Sequence, residues 1–331
     1  MNDKIVLVTD YTWPSTEPEA KVLAEIGARL LVAKTGNEEE LVALVPQADA
    51  ILTCFARVTP RVVLAGQRLQ VIGRYGIGVD NIAVEEATRH GIPVTNVPEY
   101  CLDEVAEHAL ALLFAGARHV VCYDLALHTG NWALDTGMPM YRIKGRTLGI
   151  LGFGKIGRTL ASKARGLGLR IIAYDPYLPP AIFEQNQVVA VGLEELFVQA
   201  DFLSIHIPLT TETRHMVNEK RLRRMKPTAF VINTSRGAIL DQEALLKALE
   251  DHCIAGAALD VFEPERLPAD HPLLKVSNLV ATPHVAFYSE ESVIELEIKA
   301  AKNVAAILAG RRPHSVVNPE VFQRPRWAHL R

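Results

Sequence analysis

The chain has 331 residues, 49% of them apolar and 22% charged, with a formal net charge of −3, which suggests about two folded domains and excludes a disordered chain or a dedicated nucleic-acid binder. The four cysteines are scattered, which favours reduced thiols over a disulfide framework and indicates no metal site. No apolar run approaches the ~18 residues of a membrane span and the N-terminus resembles no signal peptide, so we expect a cytoplasmic protein with neither a membrane nor a nucleic-acid partner.

Short apolar runs alternate with helical stretches through the first hundred residues. Thr59-Pro60 is typical of a helix start, and Gly91 is typical of a helix end. Strands separated by helices indicate βαβ units and therefore a parallel sheet. Buried strands are predicted over 4–9, 48–53, 69–75 and 92–96, and helices over 18–28, 61–65 and 81–90.

A longer helix is predicted over 102–117, and it is apolar around most of its circumference, so it should be buried. Residues 128–144 are predicted to form a loop, and a last helix over 290–309 ends at Gly310. The sequence therefore predicts an α/β protein with two series of parallel strands. The second series is predicted over 147–151, 170–174, 202–205, 229–233, 254–259 and 278–281.

A glycine motif, G-x-G-x-x-G, follows the first strand of the second series and opens a helix. Gly152 permits the tight turn, Gly154 allows the backbone to approach a pyrophosphate, and Gly157 allows close packing of helix on strand. Asp175 ends the next strand, where a carboxylate accepts bonds from ribose hydroxyls and repels a 2′-phosphate. The pattern predicts an NAD site in preference to an NADP site; the alternative is a structural turn.

Six short motifs of polar and glycine residues are spread over nearly the whole chain. They lie at 74–82, 152–157, 204–209, 231–237, 258–265 and 282–290. Together they resemble the D-isomer-specific 2-hydroxyacid dehydrogenases. The last block, with Tyr288-Ser289-Glu290-Glu291, is most similar to the C-terminal-binding-protein branch, which includes NADH-sensing corepressors. The resemblance implies a homodimer with a flavodoxin-like substrate domain (1–101 and 290–331), into which a Rossmann NAD domain (102–289) is inserted.

Hydride transfer between a 2-hydroxy acid and NAD needs an acid/base for the hydroxyl proton and a cation for the carboxylate. The resemblance assigns the acid/base role to His284 and its carboxylate partner to Glu265, with Glu263 as a close competitor. It assigns carboxylate binding to Arg236, whose guanidinium can form two parallel bonds. Backbone N–H groups are expected to supply a second contact with the carboxylate, from Tyr75, Gly76, Ile77 and Gly78.

The remaining cofactor contacts are also implied by the resemblance. Lys155 and Ile156 would lie at the pyrophosphate, and Thr234 and Asp260 near the nicotinamide. The adenine side would be flanked by His206, Ile207 and Pro208. Four aromatic residues either line the substrate pocket or belong to the core or the dimer interface: Tyr100, Trp132, Phe287 and Tyr288.

Two other functions stay open at this point. One is an NADH-sensing, corepressor-like binding protein, although the chain lacks long low-complexity flanks and carries all three catalytic residue types. The other is a phosphite dehydrogenase, since that activity resembles the same triad. A formate dehydrogenase is disfavoured because those enzymes usually carry Gln in place of Glu265.

Overall fold

A computed structural model describes residues 4–328 and divides the chain into two compact units. The first unit combines the chain up to Tyr100 with the segment from Ser289 onward, and the second unit is Cys101–Tyr288. Each unit contains one parallel sheet with helices, which confirms the predicted α/β fold with one unit inserted into the sequence of the other.

Twelve strands form the two sheets within the described residues, and all their pairings are parallel. Those of the first unit are β1 (Lys4–Val8), β2 (Ala28–Val32), β3 (Ala50–Thr53), β4 (Val71–Arg74) and β5 (Val94–Thr95). Those of the second unit are β6 (Thr147–Leu151), β7 (Arg170–Tyr174), β8 (Val189–Ala190), β9 (Phe202–Ile205), β10 (Phe230–Asn233), β11 (Gly256–Leu259) and β12 (Leu279–Ala281).

Within residues 4–328, every α-helix but the last lies between two strands that follow each other in the chain, and parallel pairing requires such crossovers. In chain order the helices are α1 (Glu17–Ala24), α2 (Glu38–Leu44), α3 (Pro60–Ala65), α4 (Val84–Arg89), α5 (Leu102–Ala117), α6 (Val120–His128), α7 (Lys155–Arg165), α8 (Pro180–Gln185), α9 (Leu193–Gln199), α10 (Glu219–Leu222), α11 (Gln242–Glu250) and α12 (Glu290–Leu308). The first four and α12 belong to the first unit, and the other seven to the second. No single helix in residues 4–328 is long and apolar enough to cross a membrane; α5 and α6, bent by 61°, reach that length and composition only as a pair.

The sheet of the first unit has the order β2-β1-β3-β4-β5, which is the flavodoxin-like order. Leu7, Ile51 and Ile72 are fully buried on its central strands. The helix predicted to reach residue 28 ends earlier, because Gly27 adopts a left-handed φ of 69° and the chain continues as β2. That edge strand was not predicted, since its run Ala-Arg-Leu-Leu-Val shows no period-two pattern.

The sheet of the second unit has the order β12-β11-β10-β9-β6-β7-β8. From the other edge this is the order 3-2-1-4-5-6 of dinucleotide-binding folds with one strand added, and the order reverses between β6 and β9. Every residue of β6 is buried. Helix α6 was not predicted; His119, with φ of 50°, separates it from α5, and no residue of α6 is buried.

Candidate active site

The loops that follow the strands of the second unit leave one edge of its sheet, because all its strands run in parallel. Arg236 follows β10, Glu265 follows β11 and His284 follows β12, and these three strands are neighbours in the sheet. The glycine motif follows β6, and Asp175 follows β7. The fold therefore carries the predicted catalytic and cofactor residues of this unit along a single edge.

The glycine loop after β6 is shaped for a phosphate group. Gly152 has a φ of 96°, and a Cβ there would lie 2.8 Å from the backbone nitrogen of Ile207. A Cβ on Gly157 would lie 2.4 Å from the carbonyl oxygen of Gly152, so the helix packs directly on the turn. At Gly154, by contrast, a Cβ would meet nothing within 4 Å. Helix α7 begins at Lys155, so its first-turn N–H groups point toward this open side.

Asp175 is held beside the glycine loop by two backbone groups. Its Oδ2 accepts from the N–H of Phe153 and its Oδ1 from the N–H of Tyr177, each at 3.0 Å. A carboxylate oxygen has two lone pairs, so each oxygen can accept a second bond from a ribose hydroxyl. This geometry fits the diol of NAD.

Two further polar residues suit a bound dinucleotide. Burial lowers the pKa of His206 to about 4, so its ring is neutral at physiological pH, and its Nε2 lies 2.8 Å from the hydroxyl of Ser204. Ile207 and Pro208 continue the same loop. Thr234 is buried, and its Oγ1 has no hydrogen-bond partner within residues 4–328. Because an unpaired buried hydroxyl is costly, this orphan oxygen is a fitting contact for the nicotinamide end of the cofactor.

His284 and Glu265 form a hydrogen-bonded pair, through the Nδ1 of the ring and the Oε1 of the carboxylate. The side chain of His284 is 20% exposed and that of Glu265 is 40% exposed. Glu263 points elsewhere: its Oε1 lies 2.6 Å from Nη2 of Arg214, and its Oε2 lies 3.6 Å from Nε2 of His215. Of the two candidate carboxylates, Glu265 is the one that the structure brings to the histidine.

Asp260 holds the turn that carries His284. The backbone N–H of His284 donates to the carbonyl of Asp260 at 2.8 Å. The N–H groups of Val285 and Ala286 donate to its two carboxylate oxygens, each at 2.9 Å. These bonds fix a turn in which His284 has a left-handed φ of 55°. Asp260 is fully buried, so these contacts support a positioning role; contact with the nicotinamide amide remains a prediction.

His108 on α5 extends this network and was missed in the sequence. Its Nε2 lies 3.0 Å from the hydroxyl of Thr282, which in turn donates to Asp260 Oδ1 at 2.6 Å. Because Thr282 donates its hydroxyl hydrogen to Asp260, it can only accept from His108. The Nε2 of His108 is therefore protonated and donates to the Thr282 hydroxyl. The one available signal was a histidine within an otherwise Ala- and Leu-rich helix.

Arg236 lies in the turn after β10 and is half-buried. The side chain of Asn233 fixes this turn, because its amide donates to the carbonyl of Arg236 at 2.9 Å and its oxygen accepts from the N–H of Ser235 at 3.0 Å. One guanidinium nitrogen, Nη1, donates to the carbonyl of Ser235 at 2.8 Å. The backbone and one end of the side chain are therefore oriented within the second unit.

In the first unit, the carbonyl groups of the loop Tyr75–Gly78 are all bound by neighbouring donors. The guanidinium of Arg74 donates to the first carbonyl, and its Nε donates to the last at 2.9 Å. The N–H of Val97 binds the second carbonyl at 2.9 Å, and the side-chain amide of Asn96 binds the third at 2.8 Å. Hydrogen bonds to its four carbonyl groups thus hold this loop in place.

The donors of this loop are arranged differently from the expectation. The N–H of Tyr75 donates to the carbonyl of Thr53 at 2.8 Å, so it is not available to bind an anion. The N–H groups that remain for the expected anion contact are those of Gly76, Ile77 and Gly78. Their N–H groups reach no acceptor within residues 4–328. Gly76 has a φ of 146°. Successive N–H groups without an acceptor are suited to an anion; contact of these three groups with the substrate carboxylate remains a prediction.

The four aromatic candidates have different surroundings. Tyr100 is buried, whereas Trp132 is 86% exposed and Tyr288 is 46% exposed. Phe287 lies edge-on to the ring of His284, with centroids 6.2 Å apart. The structure therefore places the ring of Phe287 beside the predicted acid/base.

Comparison with known proteins identifies the class. Residues 110–286 match the model of the D-isomer specific 2-hydroxyacid dehydrogenase, NAD binding domain. The chain is 42% identical over 291 residues to a glyoxylate reductase of Korarchaeum cryptofilum, covering 87% of this chain and 88% of that protein. It is 41% identical to a D-3-phosphoglycerate dehydrogenase of Synechocystis sp., covering 88% of this chain and 54% of that longer protein.

A solved structure agrees with these relatives. The D-lactate dehydrogenase from Aquifex aeolicus, complexed with NAD and lactic acid, superposes with a TM-score of 0.84 at 25% identity, covering 97% of this chain and 98% of that one. The chain belongs to the D-isomer-specific 2-hydroxyacid dehydrogenase family, an oxidoreductase family with NAD as cofactor. The similarity to the corepressor branch remains a prediction.

Proposed function

We propose that this protein is an NAD-dependent D-2-hydroxyacid dehydrogenase that interconverts a small 2-ketoacid and its 2-hydroxy acid. The observation that supports this most strongly is the His284–Glu265 pair, which follows β12 at the sheet edge that carries the glycine loop. A coupled histidine and carboxylate at the ligand-binding edge of a dinucleotide fold is suited to proton transfer.

Glu265 and His284 have different roles in the proposed proton transfer. Glu265 accepts from the Nδ1–H of His284 and fixes the orientation of the ring, so proton exchange with substrate falls to Nε2. Bound NADH supplies the hydride that adds to C2 of the ketoacid. His284 gives its Nε2 proton to the C2 oxygen, which yields the hydroxy acid; in the opposite direction it takes the hydroxyl proton back.

Two groups are proposed to bind the substrate carboxylate. Arg236 offers a guanidinium, which matches a carboxylate with two parallel charge-assisted bonds. The N–H groups of residues 76–78 offer a second anion site in their own unit. The named relatives act on glyoxylate, D-3-phosphoglycerate and D-lactate, and a 2-hydroxy or 2-keto acid is the chemistry that these substrates share.

An NADH assay over a panel of substrates tests this function. We expect NADH oxidation with at least one of glyoxylate, hydroxypyruvate, pyruvate and bulkier 2-ketoacids. Reduction of NAD by phosphite, without turnover of any 2-ketoacid, would favour the phosphite dehydrogenase alternative. NADH-dependent capture of protein partners with no turnover on the panel would favour the corepressor-like alternative.

The cofactor site itself can be tested at Gly154. A Cβ there meets no protein atom within 4 Å, and its φ is −63°, so we expect Gly154→Ala to fold normally but to obstruct the pyrophosphate. Its Kd for NADH should rise by at least about tenfold, equal to ~1.4 kcal/mol, as measured by titration calorimetry. Gly192→Ala is the matched control, since Gly192 also caps a helix and has open space. Equal NADH affinity in the two variants would contradict the site.

The homodimer implied by the resemblance has a candidate surface on α6 and the following loop. Large apolar side chains are exposed there, including Leu125 at 61%, Trp132 at 86% and Leu134 at 76%. Exposed apolar patches mark interaction surfaces. By light scattering we expect the wild type to be a dimer and Leu125→Glu to be a monomer. Leu64→Glu on α3 is the control, because Leu64 is also exposed, at 56%, and this variant should stay dimeric. A dimeric Leu125→Glu variant would place the interface elsewhere.

A further inference from the structure

Two glutamates are buried together in the first unit, next to Tyr75 of the loop 75–78. Glu19 on α1 is fully buried, and Glu297 on α12 is 2% exposed. Neither carboxylate has an ion-pair partner within residues 4–328. Tyr75, the first residue of the loop, is also buried, and its hydroxyl donates to Glu19 Oε1 at 2.8 Å. The glutamates are thus joined to the loop through one side chain.

The unpaired atoms of this cluster need a proton. Glu19 Oε2 and Glu297 Oε1 are buried and have no hydrogen-bond partner within residues 4–328. Two buried carboxylates at one site cannot both hold their charge, so one takes up a proton. Burial first, and then the neighbouring Glu19, raise the pKa of Glu297 to about 9. Glu19 already accepts from Tyr75, so the shared proton resides on Glu297 and donates to Glu19.

The groups that face this pair do not neutralise it. The indole of Trp13 lies edge-on to Tyr75, with centroids 4.9 Å apart, and faces Glu297. Its Nε1–H, which has no other partner within residues 4–328, lowers the pKa of Glu297 by less than burial and Glu19 raise it. Beside Tyr75 lies the thiol of Cys54, whose pKa burial raises to about 12. The guanidinium of Arg74 on β4 faces that thiol and donates to the carbonyls of Tyr75 and Gly78. Burial, with Glu19, also raises the pKa of the Tyr75 hydroxyl well above its usual value, so it remains a donor. Three lysines lie on the two helices: Lys21 binds Glu17, Lys299 binds Glu295, and Lys302 is exposed.

We propose that Glu19 and Glu297 form a proton-sharing carboxyl pair that holds Tyr75 and thereby positions the anion-binding N–H groups of residues 76–78. This inference rests on the proposed function of that loop. Neither glutamate touches substrate, so both are positioning residues. Ionisation of the pair places two negative charges in one apolar site and forces them apart, which loosens the attachment of Tyr75.

The shared proton can be measured through stability. The folded protein keeps the proton of Glu297 up to about pH 9, whereas the unfolded chain releases it near pH 4.5. The folded state therefore binds more protons between these values, and its stability falls as the pH rises through that window. Glu297→Gln stays neutral and lacks this loss. We expect its free energy of unfolding, relative to wild type, to rise steadily from pH 5 to pH 9 and then level off.

Glu25→Gln is the control for this series, because Glu25 directly follows α1 and is exposed. The free energy of unfolding of this variant should run parallel to that of wild type across the same pH range. A constant difference between Glu297→Gln and wild type from pH 5 to pH 9 would overturn the shared proton.

The positioning role is tested by substrate kinetics. At pH 7 we expect Glu297→Leu and Tyr75→Phe to raise the KM for the 2-ketoacid about fivefold, the effect of one lost hydrogen bond, with the Kd for NADH unchanged. Glu297→Gln, whose amide still donates to Glu19, should keep the wild-type KM at pH 7. We also expect the KM of wild type to rise near pH 9, where the pair ionises, and the KM of Glu297→Gln to stay constant there.

The outcomes separate this inference from the proposed function. Turnover with an unchanged KM in Glu297→Leu and Tyr75→Phe would overturn the positioning role alone. A wild type without turnover on any 2-ketoacid would overturn the proposed function and the positioning role together, while the stability series would still report the shared proton.

Discussion

We expect the His284→Asn variant to lose about 10²–10⁴-fold in kcat, the range that general acid–base catalysis contributes, and to keep its affinity for NADH. His284 has a left-handed φ of 55°. Asn is the replacement because it adopts this backbone conformation more readily than most residues and has no imidazole to transfer a proton. The loss then reports the missing proton donor rather than backbone strain. Steady-state kinetics with the best 2-ketoacid measures it.

His252→Asn is the matched control for this variant. His252 is exposed, lies in the same unit and has a φ of 51°, so the substitution makes the same change at the same backbone conformation away from the site. It should retain wild-type kcat. Full activity in His284→Asn would remove His284 from the mechanism, and the His284–Glu265 pair would then be structural.

The second large effect is expected at Arg236. Two charge-assisted hydrogen bonds of about 1.5–3 kcal/mol each correspond to roughly 10²–10⁴-fold, so Arg236→Gln should lower kcat/KM by about that factor, mainly through KM. Arg236→Lys keeps the charge but loses the planar fork, so it should fall between wild type and Arg236→Gln. Initial rates at several substrate concentrations give both parameters.

Arg170→Gln serves as the control for charge removal, since Arg170 is exposed at the start of β7 and lies at the opposite end of that strand from the ligand-binding edge. Its kcat/KM should stay at the wild-type value. A normal KM in Arg236→Gln would assign the carboxylate to other donors.

The elements that could be predicted have local signals. The strand, glycine turn and helix around residues 152–157 follow from a motif in which each glycine has a steric task. Helices α5 and α12 follow from long apolar patterns, and both were predicted with bounds within one residue. By contrast, β2 and β8 are edge strands whose residues, apart from the buried Ala28, are exposed or half-buried, and such strands carry little periodic signal.

The residues of the candidate site could be named from the sequence, but the contacts between them could not. Family motifs indicate His284, Glu265 and Arg236, yet the preference for Glu265 over Glu263 depends on which carboxylate the turn after β11 directs toward the histidine. The link from His108 through Thr282 to Asp260 depends on the packing of α5 against the sheet. The Glu19–Glu297 pair joins opposite ends of the chain, and no local pattern marks it.

A crystal structure of the protein with NAD and a non-reactive analogue of a 2-ketoacid tests the central claim most directly. We expect the pyrophosphate at Gly154, Nε2 of His284 within hydrogen-bond reach of the oxygen on C2, and the guanidinium of Arg236 on the carboxylate. A dinucleotide bound away from the glycine turn, or an analogue contacted by neither His284 nor Arg236, would contradict this account.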